Sequence, residues 1–284
     1  MKRLLYILYF VTVTVVFLYY LFPSETVKRY LSAEISRSNP QMTVTIDFVK
    51  PSFPLGILLN GVGLRHQETA LIDFDRVKIR PVLSSLIGSK TSWAFDARAY
   101  SGEVRGTAAV SADAPERQLT VDAELSNIEI RNIAAIRRLS KHTVSGLLFG
   151  TVSYQQTSPN PRLKGNLELA DCRVDLSAPA LGVDAIEFDR VETELLLDNR
   201  ALTIRQCEFK GKQLDASLTG NVSMLDRPGS RSLNIRGRFQ PHHLFLTQIE
   251  SSLPANFLRQ RKGDKGGFSF RISGSLDSPK FSLN

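Results

Sequence analysis

The chain has 284 residues, of which 42% are hydrophobic and 23% are charged. This is ordinary globular composition, so collagen, coiled coil and wholesale disorder are excluded. Two cysteines are too few for a disulfide-rich scaffold or a four-cysteine zinc cage. The net charge of +8 is spread along the chain and no nucleic-acid recognition motif is present, so we expect no nucleic-acid partner.

An apolar run at the N-terminus predicts a transmembrane anchor over residues 1–23. Lys2 and Arg3 precede 19 uncharged residues, which as a helix would reach about 28 Å, close to the thickness of a bilayer's hydrocarbon core. A cleaved signal peptide is the alternative, but the bulky exit before Pro23 lacks the small residues of a cleavage site. The apolar anchor residues are Leu4, Leu5, Ile7, Leu8, Phe10, Val13, Val15, Val16, Phe17, Leu18, Leu21 and Phe22.

The charges that flank this run set its orientation. Positive residues stay on the cytoplasmic side of a membrane, so Lys2 and Arg3 predict a cytoplasmic N-terminus. The rest of the chain then lies across the membrane. In a bacterium, this predicts a single-pass inner-membrane protein whose bulk is periplasmic, with the membrane as a partner.

Residues 24–39 predict a short amphipathic helix next to the anchor. Val27, Tyr30, Leu31 and Ile35 recur at helical spacing and form one apolar stripe. Two interpretations are open. The helix lies on the membrane surface, or it packs on the end of the domain that follows.

Residues 40–284 alternate apolar and polar side chains with period two, which predicts strands with one apolar and one wet face. Such strands are typical of antiparallel sheets. We therefore predict a mainly β domain, a strongly curved antiparallel sheet of about a dozen strands that forms a groove or a flattened barrel. Short helices are predicted near 81–88, 132–141 and 241–261. The predicted apolar face includes Val44, Ile46, Phe48, Val121, Leu125, Leu167, Leu169, Leu218, Val222, Ile235, Phe239, Phe270 and Ile272.

Six glycines lie within the apolar face of these strands. Glycine weakens a strand, so its repeated presence indicates bends or close approach of another backbone. We therefore expect the sheet to curl around its apolar side. The six are Gly106, Gly150, Gly165, Gly220, Gly237 and Gly274.

Motifs for catalysis are missing from the sequence. It contains no G-x-x-x-x-G-K-[ST], no G-x-S-x-G and no H-E-x-x-H. We therefore expect a protein that is not an enzyme, with no catalytic residues, no metal site and no cofactor. Cys172 and Cys207 leave two alternatives, one disulfide or two free thiols, since pairing needs Cα atoms within about 7 Å.

Several segments resemble the type II secretion system protein N (GspN) family and, more broadly, AsmA-like periplasmic proteins. The segments that carry the resemblance include Pro51-Ser52-Phe53-Pro54-Leu55-Gly56-Ile57, Phe74-Asp75-Arg76-Val77-Lys78-Ile79-Arg80-Pro81, Leu218-Thr219-Gly220-Asn221-Val222 and Ile272-Ser273-Gly274-Ser275-Leu276. The resemblance covers nearly the whole chain. It implies an inner-membrane protein with a curled periplasmic sheet and no catalytic residues.

Two functions follow as expectations from this resemblance. In the first, the protein is a non-enzymatic component of a type II secretion system, and its strand edges or loops bind other subunits of that system. In the second, it is an AsmA-like protein whose apolar groove binds or transfers lipid, with phospholipid or lipopolysaccharide acyl chains as partners. The first requires that the predicted helices cover the apolar face; the second requires that they leave it open.

Overall fold

The computed structural model describes residues 2–38, 42–66, 69–87, 90–111, 118–139, 142–157, 160–180, 183–198, 201–223, 232–249, 267–275 and 278–283. Within these residues the fold is mainly β, as the alternating pattern predicts, and its strands form one sheet. The strands are β1 (Met42–Pro51), β2 (Ile57–His66), β3 (Thr69–Pro81), β4 (Lys90–Ala99), β5 (Gly102–Ser111), β6 (Gln118–Glu129), β7 (Thr143–Thr157), β8 (Asn160–Ala180), β9 (Val183–Asp198), β10 (Ala201–Lys210), β11 (Leu214–Ser223), β12 (Ser232–Pro241), β13 (Phe268–Ser275) and β14 (Pro279–Leu283).

Each of the 14 strands pairs antiparallel with the next strand in sequence, so the spatial order runs from β1 to β14 without a crossover. Short connections favour this meander, because an antiparallel neighbour can be reached by a tight turn. The sheet is not closed, and β1 and β14 are its two edges. The flattened-barrel alternative is therefore wrong, whereas the antiparallel sheet is confirmed with somewhat more strands than predicted.

Each of the three stretches predicted to be helical within the domain contains a short helical segment among the described residues. The first is a 3-10 turn at Leu83–Ile87 between β3 and β4. The second is a 3-10 turn at Ile130–Asn132 followed by the helix α3, numbered after the two N-terminal helices, at Ala134–Leu139. The third is α4 at His243–Ile249, and the rest of the predicted stretch to residue 261 lies outside the described residues.

Two helices precede the sheet, α1 at Lys2–Tyr20 and α2 at Ser24–Ser38. Many side chains of α1 are exposed, among them Phe10 at 71% and Tyr20 at 91%. Within the part of the chain that the structure describes, no helix is both long and apolar enough to cross a membrane.

The helix α2 packs on the first three strands. Phe22, Val27 and Leu31 contact a buried cluster whose core members are Val44, Ile46, Val49 and Leu59. Tyr30 and Ile35 belong to the same predicted stripe but are exposed. One side of the predicted apolar stripe therefore packs on the domain, and the other side faces solvent.

Phe48 departs from the predicted apolar face. Its side chain is 63% exposed, whereas the next residue, Val49, is 1% exposed. The alternation along β1 changes phase between Ile46 and Val49, opposite the place where the paired strand β2 carries Gly61 at φ +59°. A left-handed residue reverses the side to which the following residues point, and only glycine adopts it without cost. The sequence pattern missed this local reversal.

Candidate functional site

Cross-strand register places apolar residues in continuous rows across one face of the sheet. In an antiparallel sheet, residues directly opposite one another point to the same face. Following these partners from strand to strand therefore traces the composition of that face. Three such rows cross most or all of the strands.

The middle row has no polar side chain. From β1 to β14 it contains Pro51, Ile57, Ile79, Phe95, Gly106, Ala123, Val152, Gly165, Leu195, Ile204, Gly220, Ile235, Ile272 and Phe281. A polar residue at any of these positions would interrupt the apolar surface. The face is therefore continuous across the whole sheet at this level.

The rows on either side are also largely apolar, although one contains Thr193 and the other contains Trp93 and Tyr154. On one side lie Val49, Leu59, Val77, Ala97, Val104, Leu125, Gly150, Leu167, Thr193, Cys207, Leu218, Gly237, Phe270 and Leu283. On the other lie Pro81, Trp93, Ala108, Val121, Tyr154, Leu163, Leu197, Leu202, Val222, Leu233, Gly274 and Pro279. We call the three rows together the apolar band.

The predicted apolar residues divide between this band and its surroundings. Val44 and Ile46 lie in the cluster beneath α2. The band contains Val121, Leu125, Leu167, Leu218, Val222, Ile235, Phe270 and Ile272, and a shorter adjacent row contains Leu169 and Phe239. Phe48 lies on the opposite face, as described above.

The dimensions of the band follow from sheet geometry. Fourteen strands about 4.8 Å apart span roughly 60 Å, and three rows two residues apart span about 14 Å along the strands. The geometric area is therefore roughly 800 Å², larger than the biggest apolar patch of about 300–600 Å² on a typical monomer. A surface of this size indicates a binding face or an interface.

Most of the band is half-buried rather than enclosed. In the middle row only Gly165 is buried, and large side chains such as Leu195 and Ile235 keep an intermediate exposure. The whole chain exposes 19429 Å², whereas a compact monomer of this length exposes about 12,000 Å². The helix α2 packs on the β1–β3 part of the band, through the cluster that includes Val49, Leu59 and Ile57. On the strands beyond β3, the large side chains of the middle row keep an intermediate or exposed surface.

Glycines in the band mark places where backbones approach closely. A Cβ on Gly220 would lie 2.6 Å from the Cα of Ile235 and still closer to the carbonyl oxygen of Asn234. Gly165 differs, since a Cβ there would meet Leu167 and Leu195 at 3.9 Å and the Thr151 carbonyl oxygen at 4.0 Å, which are ordinary van der Waals contacts. Close backbone approach thus explains Gly220 but not Gly165, where a methyl group would fit without displacing its neighbours.

The opposite face of the sheet is polar and charged. Arg190 lies 3.0 Å from Glu168 and 3.1 Å from Glu192, and Arg205 lies 3.0 Å from Glu194. These pairs are solvent-exposed, so each contributes only about 0–1 kcal/mol. The surface depressions of this face are shallow and open, and one of about 600 Å³ is lined largely by polar side chains. Because these charged side chains are hydrated, this face of the sheet is exposed to solvent.

The short helices pack at one end of the sheet rather than over the band. Phe245 of α4 is buried against Val183 and Leu214, which are the first residues of their strands. The helix α3 contacts β3 and β7 and lies in a connection at the same end. We call this the helical end. The opposite end, which carries the β1–β2 and β3–β4 connections, we call the tip end.

His242 connects α4 to the β10–β11 turn. Its Nδ1 lies 3.0 Å from the carbonyl oxygen of Lys212, and its Nε2 lies 3.3 Å from Oδ2 of Asp215. Both contacts favour the charged imidazolium, the Lys212 carbonyl most, so they raise the pKa of His242 above its ordinary value. The contacts hold the start of α4 against the helical end.

Cys172 and Cys207 are both buried and both free. They lie on β8 and β10, and the whole of β9 separates them, which places the two strands about 10 Å apart, too far for a disulfide. Burial raises the pKa of the Cys172 thiol to about 11, and the nearby Cys207 adds to that shift. The disulfide alternative is therefore wrong, and the thiols pack as small apolar groups.

Several members of the band were missed by sequence reasoning. Leu195 and Leu197 belong to the run Leu195-Leu196-Leu197, whose continuous apolar character hides the alternation. Trp93 and Tyr154 were also missed. Their cross-strand partners in the structure show that both lie on the apolar face of the sheet. The residues that the structure describes contain no group of three or more His, Cys, Asp or Glu that could hold a metal ion.

Comparisons with protein-family models, with curated proteins and with solved structures give no match for this chain.

Proposed function

We propose that the apolar band binds lipid acyl chains and that the protein is a non-enzymatic, AsmA-like lipid-binding or lipid-transfer protein. The observation that carries the proposal is the middle row, which crosses all 14 strands without a polar side chain. Residues of an ordinary structural core need only be buried, and they need not form a continuous row across every strand. An uninterrupted apolar path from edge to edge is what a chain-like hydrocarbon ligand requires.

The width of the band suits such a ligand. Half of a bilayer's hydrocarbon core is about 15 Å thick, which matches the band's width of about 14 Å. Each 100 Å² of apolar surface withdrawn from water contributes about 2.5 kcal/mol, so acyl chains lying on the band would be held by burial alone. Directional polar contacts are unnecessary, which agrees with the lack of polar groups in the middle row.

We further propose that the sheet curls around the band. Glycine at Gly106 and Gly220 supports this, because a Cβ at either position would meet backbone atoms of the neighbouring strand. Close packing on one face and charged side chains on the other favour bending toward the apolar face. Curling would enclose acyl chains on three sides and leave the polar face in water.

We propose that α1 anchors the protein in the bacterial inner membrane, with the sheet in the periplasm. Apolar side chains are exposed around the helix, including Leu5, Phe10 and Phe17, and only Lys2 and Arg3 in it are charged. Embedding these side chains in lipid would remove them from water. The two cations would remain at the cytoplasmic surface.

Membership of a type II secretion system stays a prediction from the resemblance. The feature that would serve it is the open edge at β14, where a partner's strand could pair with exposed backbone groups. Crosslinking of β14 to other secretion subunits would support that role. It is compatible with lipid binding, since the two functions use different surfaces.

Photocrosslinking in the intact membrane-bound chain tests lipid binding directly. A photoreactive side chain would replace Leu195, which lies in the middle row of the band opposite Gly165 and is only half-buried. The matched control replaces Glu194, the adjacent residue on the polar face. We expect crosslinked phospholipid from position 195 and little from position 194. Equal yields from the two positions would refute lipid binding by the band.

A further inference from the structure

Two connections at the tip end of the sheet present exposed apolar side chains. Phe53 and Leu55 of the β1–β2 turn are 74% and 59% exposed, and Leu83 of the β3–β4 turn is 59% exposed. Large apolar residues at turn tips face water in a free domain, so their exposure needs a reason. Turns usually carry polar or small residues instead.

Hydrogen bonds fix the shape of both turns. The Ser52 N–H donates to the Gly56 carbonyl at 2.9 Å, which closes a short turn with Phe53 and Leu55 at its tip. In the second turn, the Ser85 hydroxyl donates to the Val82 carbonyl at 2.7 Å and accepts from the Ser92 N–H at 2.9 Å. Fixed backbones keep these apolar tips in place rather than letting them fold back onto the sheet.

The N-terminal helix leaves the domain at the same end. The helix α2 ends at Ser38 and β1 begins at Met42, while the Lys28 ammonium near the start of α2 donates to the Asp47 carbonyl in the middle of β1 at 3.2 Å. The helix therefore runs antiparallel to β1, and its first residue, Ser24, lies toward the tip end. The exposed apolar helix α1 joins the domain there.

The apolar band also begins beside these tips. Its middle row starts at Pro51 and Ile57, which flank the Phe53 turn, and an adjacent row starts at Pro81 and Trp93, which flank the Leu83 turn. An apolar surface at the tips would be continuous with the band.

We propose that the tip end inserts Phe53, Leu55 and Leu83 into the interfacial region of a phospholipid bilayer, so that the apolar band opens onto the membrane surface. This inference rests on the proposed insertion of α1 in a membrane, but it does not require that lipid occupies the band. It assigns a second contact with the membrane that fixes the tilt of the sheet. A free anchor alone would leave that tilt undetermined.

Tryptophan quenching by brominated lipid tests the inserted tips in the full chain. Trp93→Phe removes the one native tryptophan, and Phe53→Trp or Leu83→Trp then places a reporter at either tip. The control is Leu244→Trp, which is also exposed but lies on α4 at the helical end, outside the band. The proteins are reconstituted in vesicles of phosphatidylcholine and phosphatidylglycerol with brominated acyl chains.

We expect roughly twofold quenching at positions 53 and 83, because residues at a membrane interface lie about 5–10 Å into the headgroup and acyl boundary. We expect little quenching at position 244. Equal quenching at all three positions would mean that the sheet has no preferred tip end, and no quenching at either tip would mean no insertion. Either result overturns the inference. The crosslinking at Leu195 reports band occupancy separately, so loss of tip insertion with crosslinking retained would leave the proposed function standing.

Discussion

Adding one methyl group at Gly220 and one at Gly165 should change stability in opposite directions. Both glycines lie in the middle row of the apolar band and neither has a positive φ. A Cβ at Gly220 would lie 2.6 Å from the Ile235 Cα, so the backbone must shift. A Cβ at Gly165 would make only ordinary contacts at 3.9 Å. Comparing the two variants therefore tests whether close packing requires glycine at position 220 but not at position 165.

The magnitudes follow from the contacts. Overpacking against backbone atoms costs about 1–3 kcal/mol, so Gly220→Ala should destabilise the domain by that amount. Gly165→Ala should stabilise it by roughly 0.4–1 kcal/mol, because alanine restricts the unfolded chain. The variants would then differ by about 2–3 kcal/mol, or roughly 5–10 °C in Tm for a domain of this size.

Thermal melts followed by far-ultraviolet circular dichroism measure this difference in the two single variants. A melting temperature for Gly220→Ala equal to that of the parent would mean that β11 and β12 are not packed as closely as the structure has them. A large loss for Gly165→Ala would mean that the neighbours of Gly165 pack more closely than the structure has them. Either result would refute the argument for an open, curled sheet.

Three further predictions concern the helical end and the thiols. The contacts of His242 with the Lys212 carbonyl and Asp215 should stabilise the domain most below pH 6.5, and this contribution should fall as the pH rises through the raised pKa of His242. The pH dependence of unfolding should be weaker in Asp215→Asn, which keeps the Lys212 contact, and an unchanged profile would contradict the role of Asp215. Phe245→Ala should lower the free energy of unfolding by roughly 3 kcal/mol, because it removes the side chain through which α4 packs on the sheet. A denaturant midpoint equal to that of the parent would mean that α4 does not pack there. Cys172 and Cys207 should resist iodoacetamide at pH 8 in the folded chain and react fully when unfolded, and rapid labelling of the folded chain would contradict their burial.

Periodicity predicted the antiparallel sheet because each strand carries its own alternation, which needs no knowledge of its neighbours. Strand number was underestimated, since strands such as β9 end in a continuous apolar run that shows no period. The error at Phe48 has a different origin. The reversal lies opposite Gly61 on the next strand, which has a positive φ, and no local pattern reports a neighbour's backbone angle.

The candidate site was only partly predictable for a similar reason. Sequence identifies which residues of one strand share a face, but the band exists only through the register that aligns Gly165 with Leu195 and Gly220 with Ile235. Register is set by turns and bulges along the whole sheet. The separation of Cys172 from Cys207 by β9 likewise follows from strand order rather than from spacing in the sequence.

The most direct test of lipid binding is mass spectrometry of the lipid that copurifies with the protein. The sample is the chain from Phe22 onward, so that Phe22 and α2 keep their contacts with the first strands, purified without detergent and shown to be folded by circular dichroism. We predict phospholipid in near-stoichiometric amounts. A folded protein free of lipid would contradict the proposed function.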